Sequence, residues 1–198
     1  MRISTKHAAI IALWALVAVV GLTVLWVRFA GPGYKDQLVS SIGPGDYALT
    51  TTTGETFTEA SLKGQPTAVF FGFTHCPEVC PTTLGDIATW QEELGDGNQL
   101  QVYFITVDPE RDDVDTLRDY VSWAPGVQGV SGSREEIDEA IGAFRIFSRK
   151  VPLEGGDYTM DHSANVLLFD SKGRFFEPVG YQEPLDRVMD KLKRLRGA

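Results

Sequence analysis

The chain has 198 residues, a formal net charge of −9 at pH 7 and two cysteines. This length suits one globular domain plus an additional segment, because a single core typically serves about 100 to 200 residues. An acidic surface repels phosphate backbones, so the composition disfavours a nucleic-acid partner.

The additional segment lies at the N-terminus, where residues 8–27 carry no charge and almost no polar side chain. A helix of this length spans about 30 Å, which matches the hydrocarbon core of a bilayer. The run exceeds the roughly 7 to 15 apolar residues of a cleavable signal peptide, so we predict an uncleaved anchor within residues 1–30. Arg2 and Lys6 precede the span, which places this end in the cytoplasm. We therefore predict a single-pass protein of a bacterial-type inner membrane, with its C-terminal domain facing the periplasm or cell exterior.

Residues 31–45 are rich in glycine, serine and proline, which predicts a linker, and the predicted domain covers residues 46–198. The segment DYALTTTTGETFTEASLKGQ begins this domain and breaks at Gly54, as a β-hairpin does. The next run, PTAVFFGF, is continuously apolar, which is typical of a strand buried on both faces. A helix from about Pro81 to Leu94 follows.

The remaining elements alternate between strands and helices. In chain order they are the strand QVYFITV, a helix starting in DPERDDVDTLRDYVSW, a strand at Val127–Val130, a helix at Arg134–Gly142, the strands FRIFSRKV, SANVLLFD and GRFFEPVG, and a helix from Pro184 to about Arg196. Successive strand–helix–strand units predict an α/β domain whose central sheet is mostly parallel, with helices on both faces. The last two strands predict an antiparallel hairpin at one edge.

Both cysteines, Cys76 and Cys80, lie in the segment FGFTHCPEVCP, between a buried strand and a helix. Open α/β sheets gather their ligands at such positions. Proline favours the first helical position, so we expect the helix to begin at Pro81 with Cys80 at its cap. The positive end of the helix dipole then favours the thiolate form of both sulfurs.

Three roles are open to this pair. A structural disulfide would close a loop of only about five residues and would therefore stabilise the fold little. A redox couple is compatible with the placement, although thiol oxidoreductases usually have two residues between their cysteines, and here there are three. Two thiolates also suit Cu(I) or Zn(II), but two donors seldom complete a metal site, so a third ligand is expected.

The third ligand has three histidine candidates. His7 lies on the cytoplasmic side of the anchor and cannot reach the cysteines. His75 precedes Cys76 directly, but neighbouring side chains at a strand end diverge. His162 stands directly before a predicted buried strand, in a connection that can face the cysteine loop.

A further motif, Asp108-Pro109-Glu110-Arg111-Asp112, ends the strand predicted beside the cysteine strand. Asp108 suits the cap of a helix whose first residue is Pro109. Alternatively, Asp108 orients the site through contacts with its ligands. The sequence leaves both readings open.

Three segments, FGFTHCPEVCPTTL, TVDPERD and DHSANVLLFD, resemble in order and spacing the Sco/SenC family. Its members are membrane-anchored, thioredoxin-like copper proteins that help to assemble the copper A centre of cytochrome c oxidase. The resemblance covers residues 46–198 and extends to the anchor. It implies a thioredoxin-like fold and a copper site, for Cu(I) or Cu(II), made of Cys76, Cys80 and His162. Glu78 and Asp161 are candidates for an additional weak oxygen ligand to Cu(II).

The resemblance also implies a metallochaperone. Its expected partners are the copper-binding subunit of cytochrome c oxidase and, as a second candidate, another periplasmic copper chaperone. The alternative is a thiol–disulfide reductase, in which Cys76 and Cys80 form a redox-active pair that keeps the cysteines of the oxidase copper site reduced. A peroxiredoxin-like peroxidase is disfavoured, because no Thr/Arg set is recognisable around the cysteines.

Overall fold

A computed structural model of the chain describes residues 5–30, 41–97 and 99–197. The chain divides into an N-terminal unit within residues 1–39 and a C-terminal unit within residues 40–198. The N-terminal unit contains helix α1, Thr5–Ala30. Its segment Ile10–Arg28 has a mean hydropathy of 2.7 and is long and apolar enough to cross a membrane.

The predicted linker falls partly outside the described residues, because residues 31–40 are not among them. Residues 41–45, assigned to the linker from their composition, fall within the C-terminal unit. The amide of Gly43 donates to the carbonyl of Ala143 at 3.0 Å, and Ile42 packs against the core. These contacts attach Ile42 and Gly43 to the rest of the C-terminal unit.

The described part of the C-terminal unit contains a seven-stranded sheet with the order β2-β1-β5-β4-β3-β8-β9. The central strands β3, β4 and β5 are parallel, as the alternation of strands and helices predicts. The other four pairings are antiparallel, so the sheet is mixed rather than mostly parallel. Two further strands, β6 and β7, form a separate antiparallel hairpin. The strands are β1 Leu49–Thr51, β2 Thr56–Phe57, β3 Thr67–Gly72, β4 Gln101–Thr106, β5 Val127–Ser131, β6 Ser148–Pro152, β7 Tyr158–His162, β8 Val166–Phe169 and β9 Phe175–Val179.

Helices flank the sheet. The central strands are largely buried on both faces. All six residues of β3 are inaccessible, and they are apolar except Thr67, whose hydroxyl donates to the carbonyl of Gln65 at 3.1 Å. A short 3-10 helix, Glu59–Leu62, precedes β3. The other helices are α2 Val79–Leu94, α3 Val114–Val121, α4 Arg134–Ala143 and α5 Leu185–Arg196.

Two helix starts differ from the sequence predictions. Helix α2 begins at Val79, two residues before Pro81, so Cys80 lies inside the first helical turn rather than at its cap. A proline is tolerated there because the first amides of a helix have no intrahelical acceptor. Helix α3 begins at Val114 and is capped by Asp113, whose side chain accepts from the amide of Thr116, so the predicted helix cap at Asp108 is wrong.

Candidate metal centre

The cysteine loop joins the end of β3 to the start of α2. The amide of Cys76 donates to the carbonyl of Phe73 at 3.2 Å, which turns the chain back toward the sheet. The amide of Cys80, in the first turn of α2, donates to Cys76 Sγ at 3.3 Å. Cys80 is fully buried, whereas Cys76 is half-buried, and both are free thiols.

Gly72, the last residue of β3, makes room for the buried sulfur. A Cβ at this position would lie 2.8 Å from Cys80 Sγ and would also overlap the ring of Phe104. The backbone of β3 therefore approaches the sulfur more closely than any side chain would permit. Gly72 is not among the predicted site residues, although a glycine inside an otherwise apolar strand is a recognisable sign of such close approach.

His162, the last residue of β7, brings its ring to the cysteine loop. Its Nε2 lies 3.7 Å from Cys80 Sγ, and its Nδ1 lies 2.9 Å from the carbonyl oxygen of Ser163. Since a carbonyl only accepts hydrogen bonds, this contact places a proton on Nδ1, so Nε2 is the ring nitrogen that faces the sulfurs. Phe73 packs edge-on against the imidazole, with the ring centroids 5.7 Å apart.

Cys76, Cys80 and His162 form one cluster. Their ligand atoms all lie within 4.8 Å of one another. This separation is close to that required by a single ion bonded at about 2.0–2.3 Å to sulfur and nitrogen. The structure thus brings together the three residues predicted as metal ligands, including His162, which is 82 residues from Cys80 in the sequence.

One side of the cluster is open to solvent through a hollow of about 180 Å³ between the cysteine loop and the β6–β7 hairpin. Cys76 and His162 line this hollow, and Cys80 lies behind them. The other residues around it are Phe73, Pro77, Val79, Thr159, Met160, Asp161 and Ala164. A partner or a metal ion therefore reaches the cluster from the side of Cys76 and His162.

The two sulfurs differ strongly in acidity. A hydrogen bond from the Cys80 thiol lowers the pKa of Cys76 to about 4 against the opposing effect of burial, and His162 and the amides of Cys80 and Glu78 contribute in the same direction. The same sulfur–sulfur contact raises the pKa of Cys80 above its usual range, as do burial and the charge of Cys76. At neutral pH the metal-free pair therefore holds one proton, with Cys76 as the thiolate and Cys80 as the thiol.

Asp112 holds the start of the cysteine loop through hydrogen bonds to Thr74. Its buried carboxylate accepts the amide of Thr74 at 3.0 Å, the hydroxyl of the same residue and the hydroxyl of Thr106 at 2.7 Å. Its backbone carbonyl accepts the hydroxyl of Ser131. Because Thr74 lies two residues before Cys76, these bonds attach the loop to the ends of β4 and β5. Asp112 is part of the Asp108–Asp112 motif, but the sequence does not indicate which residue of that motif holds the cysteine loop.

Other predicted candidates lie outside the cluster. His75 is exposed and hydrogen-bonds Thr74 Oγ1, and Glu78 is exposed at the N-cap of α2. Asp161 is exposed and pairs with Arg149. The group of metal-ligating side chains found within residues 5–30, 41–97 and 99–197 contains none of these three, nor His7 on α1. Neither Glu78 nor Asp161 stands where it would supply an oxygen ligand in this conformation.

Comparisons with known proteins agree with this geometry. The family model for SCO1/SenC matches residues 36–197. The solved structure of Bradyrhizobium japonicum ScoI with copper bound is 42% identical, has a TM-score of 0.70 and covers 77% of this chain and 99% of that chain. The structure of Arabidopsis thaliana ScoI with copper bound is 33% identical, with a TM-score of 0.72 and coverage of 78% and 99%.

A curated relative, the mitochondrial SCO2 homolog of Mus musculus, is 30% identical over 194 residues, which are 90% of this chain and 76% of the mouse protein. The chain spans 60% of the human counterpart and 52% of the yeast SCO2 protein. The matched region thus includes the cysteine loop, the Asp108–Asp112 motif and the histidine hairpin, and these relatives are longer than the part that is matched.

Proposed function

Because the chain belongs to the SCO1/SenC family, we propose that it is a copper carrier that binds the metal through Cys76, Cys80 and His162. The convergence of these three donor atoms within 4.8 Å is the observation that carries the proposal. Two thiolates and one imidazole form a soft donor set that suits three-coordinate Cu(I) and can also hold Cu(II). Relatives that share 33% and 42% of their residues with this chain are described with copper bound, which supports the same cargo here.

The layout of the site suits a metal that must leave again. Cys80 is buried, whereas Cys76 and His162 face the open hollow. An incoming donor from a partner can displace the nitrogen of His162 first and then the exposed sulfur. Copper thus passes by exchange of one ligand at a time, without being released as a free ion.

The family supports a proposal for the destination of the copper. The Sco family is described as one of cytochrome c oxidase assembly proteins. We propose that the recipient is the copper-binding subunit of the oxidase, at its copper A centre, and that another copper chaperone outside the cytoplasm loads the site. Helix α1 would anchor the chain in the inner membrane, with Arg2 and Lys6 on the cytoplasmic side. The metal-binding domain, residues 46–198 by composition, would then face the periplasm or cell exterior.

A thiol–disulfide reductase is the second candidate, and the asymmetry of the two sulfurs favours it. The Cys76 thiolate would attack a partner's disulfide and form a mixed disulfide, which releases one partner thiolate. The proton of Cys80 would pass to the released partner thiolate, and the Cys80 sulfur would attack Cys76 and displace the second partner sulfur, which takes a proton from solvent. The pair ends as a Cys76–Cys80 disulfide and the partner as a dithiol, so two electrons pass to the partner.

Replacing His162 by Ala separates the two functions. We expect the copper affinity to fall by more than the roughly 10- to 100-fold that is typical of losing a residue which merely supports a ligand. Reduction of a model disulfide by Cys76 and Cys80 should persist. The measurements are competition with a Cu(I) chelator and a disulfide-exchange assay on the same preparations.

His75→Ala is the matched control, because His75 is an exposed histidine next to Cys76 but lies outside the cluster. We expect it to bind copper like the parent protein. Equal affinities for the parent and the His162→Ala variant would contradict the ligand assignment. A copper-loaded protein that passes no metal to the soluble copper-binding domain of the oxidase would contradict the delivery function.

A further inference from the structure

The Asp108–Asp112 motif contains a buried ion pair that the cysteine loop does not use. The carboxylate of Asp108 is fully buried and accepts a hydrogen bond from Nε of Arg111, whose side chain is 17% exposed. Asp108 does not cap a helix: its backbone carbonyl accepts the amides of Arg111 and Asp112 and forms a turn after β4. A charged pair at this depth is costly unless its remaining polar atoms find partners, so its other contacts indicate what it does.

Those contacts cross to the β6–β7 hairpin, at the first residue of β7. The hydroxyl of Tyr158 donates to Asp108 Oδ1 at 2.9 Å, and Nη1 of Arg111 donates to the carbonyl of Tyr158 at 3.1 Å. The guanidinium carbon also lies 3.8 Å from the centre of the Tyr158 ring. In addition, Nη1 lies 3.5 Å from Oδ1 of Asp157. The backbone, hydroxyl and ring of one residue are therefore all held by the same ion pair.

The hairpin needs such support. It is a two-stranded sheet separate from the main one, and an isolated pair of strands is marginally stable in water. Most residues of β6 and β7 are exposed or half-buried, with Met160 as the buried exception among them. Tyr158 and His162 are the first and last residues of β7 and, four positions apart, they face the same side of the strand.

We propose that Asp108 and Arg111 are positioning residues for His162. They fix the start of β7 against the end of β4, and the strand transmits this constraint to the imidazole at its other end. The cysteine loop is held by the side chain of Asp112, whose hydrogen bonds go to Thr74 and Thr106 and not to the hairpin. The ion pair therefore sets the distance between the nitrogen donor and the two sulfurs. This inference rests on the proposed function, because it assumes that His162 is a ligand.

The test is a double-mutant cycle between Arg111→Gln and His162→Ala, with copper affinity measured for all four proteins. In the parent background we expect Arg111→Gln to weaken copper binding by about 10- to 100-fold, as is typical for residues that orient a ligand. In the His162→Ala background it should have no further effect. Arg111→Lys should fail to restore affinity, because one ammonium cannot reproduce the two bonds and the stacked plane of the guanidinium.

A second readout uses the copper-free protein. Amide hydrogen exchange in β6 and β7 should become faster in Arg111→Gln and in Tyr158→Phe, which keeps the ring but loses the hydroxyl, while β3–β5 keep their protection. Arg118→Gln is the matched control, because Arg118 is a half-exposed arginine that contacts Thr52 and Asp115, outside the hairpin. It should change neither copper affinity nor hairpin exchange.

The possible outcomes separate cleanly. Unchanged affinity in Arg111→Gln, or an equal loss in both backgrounds, would overturn the positioning role. Unchanged hairpin exchange in both Arg111→Gln and Tyr158→Phe would overturn it too, without reference to copper. Failure of the proposed ligand set has a different signature, which is parental affinity in the His162→Ala single variant.

Discussion

The cysteine loop and the histidine hairpin meet at one site, but the protein holds them in different ways. The loop follows β3, whose residues are all buried, and Asp112 ties it to the ends of two more central strands. The hairpin lies outside the main sheet, and the buried Asp108–Arg111 ion pair contacts the first residue of its second strand. The sulfurs of Cys76 and Cys80 thus follow a core strand of the domain, whereas Nε2 of His162 belongs to the separate β6–β7 hairpin.

This difference suits a carrier protein. In the proposed carrier, copper retention would depend on the two sulfurs, and in particular on Cys80, which is fully buried. Copper release needs one donor to withdraw first, and His162 is the donor that lies outside the main sheet. Three predictions follow from this contrast, beginning with the largest expected effect.

The two cysteines should contribute more to the copper affinity than His162 does. Replacing Cys80 by Ser substitutes a hard hydroxyl for a soft thiolate, so we expect stoichiometric Cu(I) binding to be lost. His162→Ala should weaken binding but leave two sulfur donors in place. Metal analysis after gel filtration compares the two variants, and circular dichroism checks that both are folded. Equal copper retention by the Cys80→Ser and His162→Ala variants would contradict the larger contribution expected from the cysteines.

The sulfur–sulfur contact should set the acidity of Cys76 in the metal-free protein. An ordinary cysteine has a pKa of about 8.5 and loses alkylation rate about tenfold per pH unit below it. With the pKa of Cys76 lowered to about 4, its alkylation by iodoacetamide should stay nearly constant from pH 8 down to about pH 5 and fall only in more acidic solution. Peptide mapping by mass spectrometry follows each cysteine separately.

The variant Cys80→Ala removes the thiol that donates to Cys76. The pKa of Cys76 should then rise toward its ordinary value, so its alkylation at pH 6 should slow relative to the parent. Cys80 itself, in the parent protein, should remain unreactive because it is buried. If the alkylation rate of Cys76 in the parent protein has its midpoint near pH 8.5, Cys76 and Cys80 do not share one proton at neutral pH.

The close packing beneath the cysteines should show as a loss of stability. Gly72→Ala adds a Cβ that overlaps Cys80 Sγ and the ring of Phe104, so we expect a destabilisation of about 1–3 kcal/mol, as for other overpacked cores. Chemical denaturation of the soluble domain measures this change. Gly85→Ala in α2 is the matched control: no heavy atom lies within 4 Å of its new Cβ, and alanine favours a helix interior by about 0.5–1 kcal/mol. Equal stability of the two variants would be incompatible with the contact at Gly72.

Much of the fold was predictable because its strong signals are local. The continuous apolar run of β3 and the alternation of strands and helices predicted buried parallel strands, and the structure confirms β3, β4 and β5 as such. The start of α2 was predicted less well. The preference of Pro81 for the first helical position was overridden by the fold, which places Val79 and Cys80 in helical geometry so that the amide of Cys80 faces Cys76.

The β6–β7 hairpin shows why local signals were insufficient elsewhere. Tyr158 to His162 do not alternate cleanly between polar and apolar residues, and Tyr158 owes its position to Asp108 and Arg111, about 50 residues earlier in the chain. Asp108 illustrates the same limit. Its sequence context fits a helix cap, but in the fold its carboxylate accepts hydrogen bonds from the guanidinium of Arg111 and the hydroxyl of Tyr158.

By itself, the sequence determined the apolar N-terminal helix, the buried strand before the cysteines and the chemistry of the donor set, because helix propensity, hydrophobicity and ligand softness are properties of the residues themselves. Only the tertiary structure decided that Nε2 of His162 faces the sulfurs, that Cys80 is buried while Cys76 is exposed to the hollow, and that Asp112 and the Asp108–Arg111 pair hold opposite halves of the site. Those arrangements depend on strands that are distant in the chain but adjacent in the fold, and no local pattern of residues specifies their separation.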